Sequence, residues 1–123
     1  MEQIASERLQ IKDWTLRLRR PDGVGPFPVI LMLHGWTGDE DAMWVFAGRL
    51  PQNYLLLAPR APFPAPAGGF SWQPEMAHRR AGLVDDFRSA IQALEGLLHQ
   101  EYIPYADFSH LRLVGFSQGA ALA

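Results

Sequence analysis

The sequence predicts an α/β domain with a mostly parallel sheet and flanking helices, and three observations carry that expectation. Two short apolar runs, VILML at 29–33 and YLLLA at 54–58, are continuous rather than alternating, as expected of strands covered on both faces. Stretches with helical spacing follow these runs. The third observation is LRLVGFSQGAALA at 111–123, where a β-rich run passes through a glycine-flanked serine into a small-residue helix former. That order is strand, tight turn, helix.

The elements follow in order. Residues 13–20, DWTLRLRR, alternate Trp14, Leu16 and Leu18 with Thr15, Arg17 and Arg19, the period of a half-buried strand near a sheet edge. The turn formers of 21–26 close it, and Pro28 admits the central strand 29–33. After His34-Gly35-Trp36-Thr37-Gly38-Asp39, either Asp39 or Asp41 is placed to cap a helix whose apolar positions are Met43, Phe46, Ala47 and Leu50. Pro51 stops that helix, the strand 54–58 follows, and residues 59–69, rich in proline, read as irregular backbone. Helical spacing returns over 78–100 through Val84, Phe87, Ile91, Leu94 and Leu98, and residues 107–110 read as a turn before the strand 111–114. A strand–helix alternation of this kind gathers its functional loops outside the C-terminal ends of the strands. The turns after 33, 58 and 114 therefore belong on one rim.

Composition bounds the function. The 123 residues are 48% hydrophobic and 20% charged, the profile of a single globular domain, 1–123. A formal charge of -2 offers no basic field for nucleic acid, so Arg19-Arg20 and Arg79-Arg80 read as solvated pairs. There is no cysteine, which excludes disulfides and thiolate chemistry and is compatible with a cytoplasmic location. The first residues lack an apolar targeting core, and no apolar run is long enough for a membrane span. No metal-ligand cluster or phosphate-binding loop is present, and Asp85 and Asp86, neighbours on a helix, point apart and read as a solvated face.

The chemistry lies at Ser117. In G-x-S-x-G between a strand and a helix, the turn holds serine in a strained backbone conformation with its hydroxyl clear of both elements. Gly115 and Gly119 are required because strand and helix pass so close that a Cβ would collide with backbone. The Gln118 N–H, at the helix start, faces the position of a developing oxyanion.

Three segments in order, LMLHGWTGDE, LLAPRAP with GGFSW, and LRLVGFSQGAALA, make residues 29–123 resemble the phospholipase/carboxylesterase family of the α/β-hydrolase fold, which includes the acyl-protein thioesterases. The resemblance implies a serine carboxylic-ester or thioester hydrolase without a cofactor. Ser117 would be the nucleophile and the N–H groups of Trp36 and Gln118 the oxyanion hole, with Thr37 in place of Trp36 if the turn is shifted by one residue. Phe63, Phe70 and Trp72, on loops at the same rim, are candidates to line an acyl pocket.

Two departures stand out. Relatives carry an aromatic residue and an aspartate after the tryptophan, where this chain has Trp72-Gln73-Pro74-Glu75. In this fold the triad runs Ser, acid, His along the chain, and six residues follow Ser117. His99 and His110 belong to the opposite rim; His34 and His78 lie nearer Ser117, but His34 sits in the turn that builds the oxyanion hole and His78 opens a helix with no identifiable orienting acid. The sequence therefore reads as the N-terminal portion of such an enzyme, truncated just after the serine turn and able to self-associate through an exposed sheet edge. The alternative is a noncatalytic chain or partner-binding module that keeps the serine turn for packing.

Overall fold

The computed structural model describes residues 6–74 and 87–122. Its main sheet has five strands in the order β1-β2-β4-β3-β7: β1 Glu7–Ile11, β2 Trp14–Arg19, β3 Phe27–Leu33, β4 Leu55–Pro59 and β7 Ala106–Gly115. The parallel block is β4-β3-β7, and β1 and β2 add an antiparallel margin. The two-residue strands β5 Phe63–Pro64 and β6 Phe70–Ser71 form a separate antiparallel hairpin. That hairpin corrects the expectation of irregular backbone throughout 59–69.

The continuous runs supply both faces of the sheet because strand side chains alternate. On one face Val29, Leu31, Leu33, Leu55 and Leu57 join Leu16, Leu18 and Trp72, and α1 (Arg88–Leu97) adds Ala90, Leu94 and Leu97. On the other, Ile30, Met32, Leu56 and Ala58 pack on Met43 and Ala47. Those two belong to a 3₁₀ helix, Ala42–Arg49, in the place where an α-helix was expected. Asp41 precedes it without a side-chain cap; instead Asp39 Oδ1 accepts the Asp41 N–H at 2.8 Å.

Arg19 departs from the solvated pair that the sequence suggested. It is buried, and donates to the carbonyls of Ala47 at 3.1 Å and Pro51 at 2.7 Å, satisfying acceptors at the end of the 3₁₀ helix. Burial lowers its pKa from the ordinary guanidinium value. Arg20 lies over the Tyr105 ring, 4.3 Å from its centroid. Arg79, Arg80, His78, Asp85 and Asp86, with the first part of the expected 78–100 helix, lie outside the described residues.

The turn expected at 107–110 is absorbed into β7. Pairing with β3 jumps from Pro28↔Asp107 to Val29↔Leu111, so Phe108, Ser109 and His110 bulge from the strand. The Asp107 carboxylate holds the bulge by accepting from the Ser109 N–H at 3.0 Å and pairing with His110 Nδ1 at 2.9 Å. Among the described residues β7 pairs only with β3, and Leu113 on this edge strand is 48% exposed.

Candidate active site

Ser117 stands between the end of β7 and α2 (Gln118–Leu122) with φ +56°, a left-handed conformation rare for a residue with a side chain. The surroundings hold it there. A Cβ added to Gly115 would come within 2.6 Å of the backbone of Gly119 and Ala120, and one on Gly119 within 2.0 Å of the Leu33 carbonyl oxygen. Strand and helix thus touch through their main chains, while the Ser117 side reaches solvent.

The turn after β3 comes up against the serine. A Cβ built on Gly35 would lie 3.3 Å from Ser117 Cβ and 3.2 Å from the Phe116 carbonyl oxygen. Residues 35–38 form a β-turn closed by the Gly38 N–H on the Gly35 carbonyl at 3.0 Å, with Thr37 at φ +71°. The Thr37 N–H donates to the Phe70 carbonyl at 3.0 Å, which commits one of the two amides left open by the sequence. Trp36, the other of the two, is 47% exposed.

A third segment, 69–73, binds the first two together. Phe70 N–H donates to the Gly38 carbonyl at 2.9 Å, and Gly69, at φ +67°, runs so close to Thr37 that a Cβ there would lie 1.9 Å from its carbonyl oxygen. From the serine side, Gln118 Oε1 accepts the Trp72 N–H at 2.8 Å and Gln118 Nε2 donates to Ser71 Oγ at 3.2 Å. Gln73 is buried and its Oε1 accepts from Gln118 Nε2 at 3.5 Å. Trp72 itself is fully buried: its indole donates to the His34 carbonyl at 2.8 Å, and its ring packs on those of Trp14 and His34. It presents no side-chain surface to a substrate. Phe70 lies under the Arg60 guanidinium, 4.5 Å from its ring centroid, and Phe63 is half-buried in β5.

His34 is ruled out as a base by its hydrogen bonds. Nε2 accepts the Ala61 N–H at 3.0 Å, so the proton is on Nδ1 and is given to the Gly35 carbonyl at 2.6 Å. Both ring nitrogens are occupied in a buried, neutral ring. Burial is the main reason that its pKa falls below the ordinary imidazole value. Above about pH 6.5 the folded and unfolded rings are both neutral and no stability depends on them. As the pH falls below that value the unfolded ring takes a proton that the folded ring refuses, so stability declines by up to about 1.4 kcal/mol per pH unit. Urea midpoints measured from pH 7.5 to 5 should fall below pH 6.5, and His34→Gln should remove much of that slope; an unchanged slope would show that another group titrates.

Sequence reasoning missed Glu40. Although it sits in a glycine-rich loop, its side chain is 2% exposed and takes both Arg60 Nε at 2.8 Å and Arg60 Nη2 at 3.0 Å, with Arg8 at 2.9 Å. The Arg60 hydrogen bonds hold its pKa below the ordinary carboxylate value, so its stabilising contribution is present above about pH 4.5 and is lost as the pH falls through that depressed value. The pair ties the turn after β3 to the turn after β4. APR following one strand and DE following another were its signal, but only a fold places them face to face.

Among the described residues no group of three or more His, Asp or Glu side chains is placed to hold a metal ion, and no helix is long and apolar enough to cross a membrane. His110 is paired with Asp107 in the β7 bulge, seven residues before Ser117, and His99 lies just after α1.

This architecture is the α/β-hydrolase fold. Solved structures with it include a carboxylesterase from Mesorhizobium loti, at TM-score 0.74 and 20% identity, matched over 95% of this chain and 57% of that one. TT1662 from Thermus thermophilus matches at TM-score 0.53 and 23% identity, over 97% of this chain and 49% of its own. A CE1 ferulic acid esterase from the anaerobic fungus Anaeromyces mucronatus matches at TM-score 0.53 and 18% identity, over 94% and 50%. The chain thus spans 49–57% of the length of these structures. No protein-family model and no curated protein sequence matches it.

Proposed function

We propose that this chain carries the nucleophile half of a serine carboxylic-ester or thioester hydrolase, in which Ser117 is acylated and then released by water. The observation that carries the reading is Ser117 at φ +56° on a strand–helix corner, with the Gly35 backbone against it. Strain at that corner aims the hydroxyl outward, and the Gln118 and Trp36 N–H groups are the donors assigned to the oxyanion. The base is assigned to a histidine, with its orienting acid, in chain that continues past residue 123, in keeping with the order Ser, acid, His. No cofactor enters the reaction. The substrate is a small ester or thioester, and the cysteine-free composition supports a cytoplasmic setting. The open edge of β7 is then where a further strand pairs, or a second copy of the chain when none is present. Strand–helix corners also occur for packing alone, so a noncatalytic chain is the competing reading.

The test is a fluorophosphonate probe applied to a version extended through its own coding sequence. Mapping should place the adduct on Ser117, and labelling should disappear in Ser117→Ala. Labelling that persists in that variant would assign the chemistry to another residue; no labelling in a well-folded extended protein would favour the noncatalytic chain.

A further inference from the structure

Four large apolar side chains stand exposed around the serine turn: Val45 at 76%, Phe116 at 59%, Trp36 at 47% and Phe46 at 39%. They are the walls of one hollow of about 230 Å³, floored by the buried Met43. No residue lining it carries an ionisable side chain. Gly35 and Phe116 belong both to its lining and to the contact with Ser117, so the hollow opens beside the candidate nucleophile. The loop aromatics are otherwise engaged, with Trp72 in the core and Phe70 under Arg60. A concave surface lined mainly by apolar and aromatic side chains is the form that small-molecule sites take.

We infer that this hollow, rather than Phe63, Phe70 and Trp72, receives the hydrocarbon group of the substrate, an inference that rests on the esterase reading above. At about 30 Å³ per water-sized group, the volume holds roughly eight non-hydrogen atoms, an eight-carbon alkyl chain or one aryl ring with a short tail. A charged hydrocarbon tail is disfavoured, because no side chain in the lining carries a charge to pair with it. Long acyl chains fill the hollow and run into solvent, gaining nothing further.

Binding in the hollow does not require Ser117 to react, so residues 1–123 can be titrated with straight-chain 1-alkanols from butanol to dodecanol, followed by calorimetry and tryptophan emission. Affinity should rise about fourfold per methylene and level off near eight carbons. Val45→Asp, at a site exposed enough to leave folding intact, should weaken octanol at least tenfold. Phe46→Ala, which enlarges the hollow, should move the plateau to longer chains. A series flat from butanol onward, or octanol affinity unchanged in both variants, overturns the inference. So does an associated chain that Val45→Asp converts to monomer while alkanols fail to bind, since the patch then serves a second copy. Failed titration with successful labelling of Ser117 removes the hydrocarbon site alone. Successful titration without labelling removes the esterase reading and leaves an apolar binding site.

Discussion

Residues 1–123 on their own are expected to turn over an activated short-chain aryl ester at around 10⁻⁵ per second. Ser117 alone is a weak nucleophile, because a hydroxyl attacks a carbonyl only as a neighbouring base removes its proton. Among the described residues no histidine is placed to do so: His34 has both nitrogens bound to backbone, and His110 is held by Asp107. Loss of the base in serine hydrolases costs about 10⁶-fold, and a typical enzyme works at about 10 per second. Hydrolysis of the aryl ester by purified chain, with Ser117→Ala as control, measures it. Turnover above about one per second that vanishes in the control would place a base within these residues, and His78 would be the first to examine.

The largest loss of stability is expected from Gly119→Ala. On helix propensity alone the change looks favourable, alanine being about 1 kcal/mol better than glycine. Here the added methyl would lie 2.0 Å from the Leu33 carbonyl oxygen and 2.7 Å from that of His34. Neither carbonyl can retreat freely, because that of Leu33 accepts the Phe116 N–H at 3.1 Å beside β7 and that of His34 accepts the Trp72 indole N–H at 2.8 Å. The helix must lift instead, and Leu122 leaves the core with it. A loss of about 3 kcal/mol or more in urea unfolding is expected. Gly96→Ala supplies the contrast: it sits in α1 with nothing within 4 Å of the added methyl, and should gain about 0.5–1 kcal/mol. Equal effects at the two positions would contradict the close seating of α2 on β3.

Legibility differed by the kind of signal each segment carries. The buried strands β3 and β4 announced themselves because a run such as VILML is intelligible only if both faces are covered. β1 was silent: ERLQI mixes charges with two half-buried apolar residues, and what makes it a strand is the pairing of Leu9 with Leu16 and Ile11 with Trp14. The turn between them, with Lys12 at φ +54°, lacks the glycine that would have marked a two-residue hairpin. At 107–110 the turn chemistry was real, yet β3 continues alongside and keeps the bulged residues within one strand. Around Ser117 the glycines were legible, because a strand and a helix that meet at a tight corner leave no room for a Cβ. The Trp72 indole and the Glu40–Arg60 pair were illegible, since each is defined by a partner 38 or 20 residues away.

The anchoring of 69–73 divides the excursion between β4 and the serine turn into a fixed and an exchangeable part. Phe70 and Trp72 are tied by main-chain hydrogen bonds to Gly38, Thr37 and the Gln118 side chain, so their spacing sets the position of two other loops. Pro66, Ala67 and Gly68 are exposed, and a Cβ on Gly68 would meet nothing within 4 Å. Loop grafting therefore has a natural seam: foreign sequence of varied length can be spliced in at 66–68, while a deletion of one residue between 69 and 73 would pull Gln118 and the adjoining serine out of line. A library confined to that seam would diversify the mouth of the site without disturbing its frame.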